Sequence, residues 1–327
     1  MLRTLARSTA LAAATAAACV AAPQPTPTAA ADPLDHGPEV VHCTRQQGPA
    51  RPLYPAEVFA PFCRGDSIDL RQQTLASATR RLDDEPDPAL RGALLTAIAD
   101  DHLALFEDGV SRLCAREREA RPIPGPDRPE ILAHLRAAMA ASAQGLALAG
   151  AEPEAVERQW TRDLPCLHTI AASRLGELED AGASAAMLDT QAECTGSALV
   201  EYGHALELAG AHDQARATFE RAQAIAAAKP ALEISCPVAG PERAWAEIDH
   251  CPRPELLRQW CAWTAYLRYR LLWSAHYGGT LDAAQTAAAL GELATELRQA
   301  APLGSETLLA AIEADRQQLA DGHDPAR

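Results

Sequence analysis

The chain has 327 residues, enough for one large or two ordinary domains, and 48% of them are hydrophobic while only 4% are aromatic. Its formal net charge is −15, with 44 acidic against 29 basic residues, which excludes a general nucleic-acid binder because such a protein needs a basic surface to displace counterions. Alanine fills the apolar share, and Val and Ile never gather into alternating runs, so the composition predicts an all-α protein.

Residues 1–22 read as a signal peptide. Arg3 and Arg7 open it, an apolar stretch of small residues follows, and small-residue cleavage sites come next. The apolar run is too short to span a bilayer, and no later segment reads as a transmembrane span. The expected location is outside the cytoplasm, in the periplasm or the medium. Cys19 opens a second reading, in which residues 1–18 are removed and the cysteine is lipidated. Residues 23–28, rich in Pro and Thr, would then form an extended tether. The site lacks the Leu usual three positions before such a cysteine, so plain secretion and lipidation both stand. Contact with a membrane is expected only through that lipid.

Residues 23–65 read as a tether and irregular arm, with many prolines and no 3.6-residue period. Residues 66–121 form an N-terminal helical segment. Ser67 caps a helix running to about Asp83, "DDEPDP" breaks it, and a long helix covers 88–120. "RPIPGPDRP" at 121–129 is the clearest boundary. Residues 129–322 read as a domain of helical hairpins, with helices of about 15–25 residues joined by short turns.

Beyond Cys19 the chain carries eight cysteines, an even number that suggests disulfides in an exported protein. Cys43–Cys63 would close the N-terminal arm, and Cys236–Cys251 would close the Pro- and Gly-containing stretch between them. Buried free thiols are the competing reading. No CxxC occurs, so zinc-ribbon, thioredoxin-like and c-type haem sites find no support.

Ala-Gly-Ala occurs at 149–151, 181–183 and 209–211, each time at the end of an apolar run. A helix closed by Gly and followed at once by another helical pattern is a hairpin with a left-handed cap. The glycines Gly150, Gly182 and Gly210 therefore predict three hairpin turns. The segment 196–229 places Leu199, Tyr202, Gly203, Leu206, Gly210, Ala215, Phe219 and Ala222 at spacings that resemble a tetratricopeptide repeat, whose unit is 34 residues long. Gly203, Ala215 and Ala222 would let the two helices approach closely, with Phe219 and Leu206 filling the space between. The copies at 168–195 and 136–163 match less well. The resemblance implies stacked hairpins and a protein- or peptide-binding scaffold. A generic array of helical hairpins is the alternative.

Candidate chemistry is sparse. The helix 254–279 carries one stripe of Leu256, Trp260, Trp263, Leu267 and Leu271, and a second of Tyr266, Tyr269, Trp273 and Tyr277 with Arg270 among them. A helix apolar on two faces is either central to the core, with its Tyr and Trp tips hydrogen-bonded, or it lines a binding groove. Tyr266, Tyr269, Arg270, Trp273 and Tyr277 are the candidate binding residues on the second reading. Asp100, Asp101 and His102 are consecutive, so on a helix they point about 100° apart and cannot share one metal. His250 beside Cys251 invites a thiol-nucleophile reading, which the expected disulfide opposes. His204 and His212 flank a predicted turn and read as solvated or capping. No catalytic motif, metal site or cofactor site emerges. The sequence thus points to a non-catalytic, protein- or peptide-binding scaffold of the bacterial cell envelope. An envelope hydrolase with a site in the helical array, and a structural lipoprotein, are the other readings.

Overall fold

The computed structural model of the protein describes residues 68–119, 128–151, 162–190, 192, 194–228, 252–300 and 306–323. All of them fall within one compact unit, Asp32–Arg327, while the other unit, Met1–Ala31, lies outside the described residues. Of the interpretable part 87% is helical, in ten helices and no strands, so the fold is all-α. The helices are α1 (Ile68–Asp84), α2 (Pro88–Glu119), α3 (Arg128–Ala151), α4 (Leu164–Leu175), α5 (Leu178–Ala186), α6 (Thr195–Leu208), α7 (His212–Ala228), α8 (Pro252–Tyr277), α9 (Ala283–Ala300) and α10 (Glu306–Ala320).

Each helix packs mainly on its neighbours in sequence. α1 lies on α2, α2 on α3, α3 on α4, α4 on α5, α6 on α7, α7 on α8, α8 on α9 and α9 on α10; α4 also packs on α6. The turns after α4, α6 and α8 share one device. At Gly176 and Gly210 the backbone has φ of 77°, which costs an L side chain steric strain and costs glycine none. The next N–H, of Glu177 or Ala211, reaches back five residues to the carbonyl of Ala172 or Leu206, at 2.9 and 2.8 Å. Gly279 and Gly322 repeat this, with Thr280 bonded to Ala275 and His323 to Gln318. This bond satisfies a carbonyl that the helix end would leave unpaired. After Gly279, Asp282 and Gln285 exchange side chain-to-backbone bonds of 2.8 and 3.0 Å, a capping box that starts α9.

The expected turn at Gly210 is present, but the turn expected at Gly182 is not. Gly182 sits inside α5, and the chain reverses six residues earlier, at Gly176. Alanine on both sides lets a helix run through Gly182. The glycine serves packing instead, since a Cβ there would lie 2.8 Å from the Tyr202 hydroxyl. Gly150 is the penultimate residue of α3, and the segment 152–161, where its turn was expected, lies outside the described residues. Helices α4 and α5, of 12 and 9 residues, are also shorter than the expected range.

Two hydrophobic clusters form the core. One joins α1, α2, α3 and α4 through Ala78, Leu95, Phe106, Ile131, Leu135 and Ala171. The other runs from α4 to α10. Helix α4 serves both, because Cys166 belongs to the second cluster, Leu167 to the first, and Ile170 touches each. A helix apolar all round must be enclosed. Contrary to the expectation from sequence, residues Pro129–Ala151 are long and apolar enough to cross a membrane by length and composition alone. Ile131, Leu132, Leu135 and Ala138 of that helix are buried in the first cluster, which accounts for its apolar character.

Candidate functional site

The unusual helix 254–279 is α8, and its second stripe lies inside the protein. Tyr266, Tyr269, Arg270 and Trp273 are all 0% exposed, and Tyr277 is half-buried. No partner reaches the first four without moving a helix, so this stripe is not the wall of an open groove. Leu267 of the other stripe is buried as well. The side chains of Leu256, Trp260 and Trp263 lie outside the described residues.

The stripe instead anchors two buried polar knots. In the first, Arg270 donates to the Glu207 carboxylate and to His204 Nδ1, both from α6, and Ser274 donates to the other Glu207 oxygen. Arginine only donates, so His204 Nδ1 is an acceptor and carries no proton. The guanidinium also lies 5.2 Å from the centre of the Phe219 ring. Burial pushes the Glu207 carboxyl up, and Arg270 and Ser274 oppose that shift. In the second knot, the Tyr269 hydroxyl and the Trp273 indole donate to one oxygen of Asp315 on α10, at 2.6 and 3.2 Å. Asp315 is itself 0% exposed. Burying such charges is costly unless they are paired, and here they tie α6, α8 and α10 together. His204, read from sequence as solvated or capping, is instead interior, where the Arg270 side chain of α8 reaches it. His212 begins α7 and stacks on Tyr277 with ring centres 5.4 Å apart.

The hairpin α6–α7 has the packing expected of it. Leu199, Leu206, Ala215, Phe219 and Ala222 are buried. A Cβ on Gly203 would stand 2.7 Å from the Phe219 ring, so only glycine admits that ring there.

In the first cluster the consecutive Asp100, Asp101 and His102 divide between two neighbours. Arg71 of α1 bonds Asp100 at 2.7 Å and Asp101 at 3.0 Å, and Thr74 donates to Asp101 at 2.8 Å. His102 turns to α3, where its Nδ1 meets His134 Nδ1 at 2.9 Å. Burial and the neighbouring ring push His102 down to about 4, and burial lowers His134. Sequence reading missed His134 as a partner, since nothing local links two residues 32 apart.

A serine–histidine pair also forms, Ser142 Oγ to His168 Nδ1 at 3.0 Å. Ser142 is 0% exposed and also bonds the carbonyls of Ala138 and Met139, so no substrate reaches its hydroxyl. Among the described residues no three His, Cys, Asp or Glu side chains gather as a metal site.

One disulfide is present among the described residues, Cys166–Cys194, linking the first turn of α4 to the residue before α6. It is not among the pairs expected from sequence. Cys19, Cys43, Cys63, Cys236, Cys251 and His250 all lie outside the described residues. Nothing local in the sequence marks this pair, whose members stand 28 residues apart.

Fold and sites thus define an all-α protein of helical hairpins with buried ion pairs and a cross-hairpin disulfide. Comparison with protein-family models, curated proteins and solved structures gave no match to this chain.

Proposed function

We propose that the chain is an exported, non-catalytic helical scaffold that binds a protein or peptide in the bacterial cell envelope. One observation carries this reading: the hairpins succeed one another with neighbour-to-neighbour packing, and a left-handed glycine turn recurs at Gly176, Gly210 and Gly279. Gly176 and Gly210 stand 34 residues apart, and Gly279 lies 69 beyond Gly210, about twice the tetratricopeptide unit. Under the 34-residue shift Ala181 falls on Ala215, and both are fully buried. Thr169, which bonds Ser184 across α4 and α5, falls on Gly203, which meets Phe219 across α6 and α7. Serial packing of this kind suits extended recognition surfaces. Export is supported by the leader-like residues 1–22 and by the Cys166–Cys194 disulfide, a bond that persists in oxidising compartments.

The partner surface belongs to the outer faces, since the α8 stripe is enclosed. Met187 at the end of α5 and Leu208 at the end of α6 are large apolar residues left exposed. The test is site-specific photo-crosslinking in intact cells from positions 187 and 208, with identification of the adduct. The reading expects one discrete envelope protein, lost with Met187→Glu or Leu208→Glu while the melting curve is unchanged. A ladder of unrelated adducts at both positions would count against it.

A further inference from the structure

The histidine pair between α2 and α3 has no part in a scaffold's recognition surface. Its Nδ1 atoms are 2.9 Å apart and its ring centres 5.2 Å apart. That centre-to-centre distance is the nitrogen separation plus one ring radius at each end. The two nitrogens therefore face each other head-on, along the line between the rings. Such a gap admits one proton, donated by one neutral ring to the other. A metal ion on that line would need roughly 2.0 Å to each nitrogen, more than the gap provides.

We propose that His102 and His134 form an acid-sensitive latch: protonation of both rings sets N–H against N–H and loosens α2 from α3, while α9 and α10 stay packed. The pair sits where the first hydrophobic cluster reaches solvent, since both rings are half-buried and Ile131, Leu135 and Phe106 close the cluster behind them. Opening it therefore exposes the first cluster and not the second, which is built from different residues.

The charged surroundings do little to rescue the doubly protonated state. On α3, Glu130 favours the charged form of His134 but does not overcome burial. On α1, Arg71 is bound to Asp100 and Asp101. On α4, Arg174 is bound to Glu201 and lies 3.6 Å from Glu107 of α2. Also on α4, His168 is bonded to Ser142, and burial lowers it despite Asp180 on α5. His102 holds its proton less tightly when folded, about 4 against 6.5, so the packed form binds fewer protons than the opened one. Its stabilising contribution is complete above pH 6.5 and is lost as the pH falls through that window towards 4.

The test is NMR titration of the histidine rings, with amide hydrogen exchange at pH 7 and pH 4.5 corrected for intrinsic rates. The expected result is that His102 and His134 titrate below the ordinary imidazole value of about 6.5. Exchange in α2 and α3 should rise at least about tenfold more than in α9 and α10. A His102→Asn/His134→Asn protein, which keeps neutral hydrogen-bonding groups, should lose that acid step and match the parent at pH 7. Titration of both rings at about 6.5 or above would overturn the proposal, as would acid loosening that is equal in α2–α3 and α9–α10. If the double variant fails to fold, the two measurements on the parent protein still decide.

Discussion

The two halves of the described core use the same material, alanine-rich helical hairpins, in opposite ways. The first cluster, on α1 to α4, is mostly aliphatic inside, with Phe106 among its buried residues, and apart from the buried His168 keeps its titratable groups towards the rim: Arg71 with Asp100 and Asp101, and His102 with His134. The second, on α4 to α10, takes its charges into the interior, where Arg270, Glu207 and Asp315 are buried among Trp273, Tyr269 and Phe219. Small alanine side chains leave room between helices. In one region that space is filled by Leu and Ile, and in the other by long polar and aromatic side chains whose tips must then find partners. The second region should therefore be more sensitive to single changes in its polar groups, and the first more sensitive to pH.

The sharpest way to break the comparison is Glu207→Ala. It leaves Arg270 buried without its carboxylate and should cost about 3–5 kcal/mol in denaturant unfolding. A Glu207→Leu/Arg270→Met pair should recover most of that loss, because a well-packed apolar pair replaces an ion pair at little cost. If the double variant is as weak as the single one, the knot is needed for more than charge balance.

Removing the disulfide comes next. Cys166→Ser with Cys194→Ser opens a link of 28 residues and should cost about 3–4 kcal/mol, largely through the unfolded chain. The parent protein should show the same loss on reduction, and the double variant should be indifferent to reductant.

Gly203→Ala should cost about 1–3 kcal/mol by pressing a methyl group onto the Phe219 ring. Phe219→Leu in the same chain should return part of it, as a thermal melt of the single and double variants would register. The smallest effect is expected at the rim of the first cluster. Arg71→Ala should cost about 1 kcal/mol, and high salt should reduce the difference, because Asp100 is half-exposed. A loss at Arg71 as large as that at Glu207 would erase the distinction between rim and interior.

Much of the local structure was legible. The first two helices were expected at 67–83 and 88–120 and lie at Ile68–Asp84 and Pro88–Glu119, because a Pro-containing acidic break is a local signal. The α6–α7 hairpin, with Gly210 at its turn and Phe219 against Gly203, was readable from the spacing of small and large residues. The candidate site was much less legible. The stripe of Tyr266, Tyr269, Arg270 and Trp273 was visible as a stripe, but its partners His204, Glu207 and Asp315 stand 42–66 residues away. Nothing near those positions in sequence marks them.

By itself the sequence determined that the protein is helical and where several helices stop, since propensity, glycine caps and proline breaks act over a few residues. Only the tertiary structure decided which glycine reverses the chain at Gly176 and which is simply kept small for Tyr202. It also decided which cysteines meet, and whether an aromatic face meets solvent or an arginine's partner. Those outcomes depend on what another helix brings alongside, and burial, charge pairing and steric room exist only once it is there.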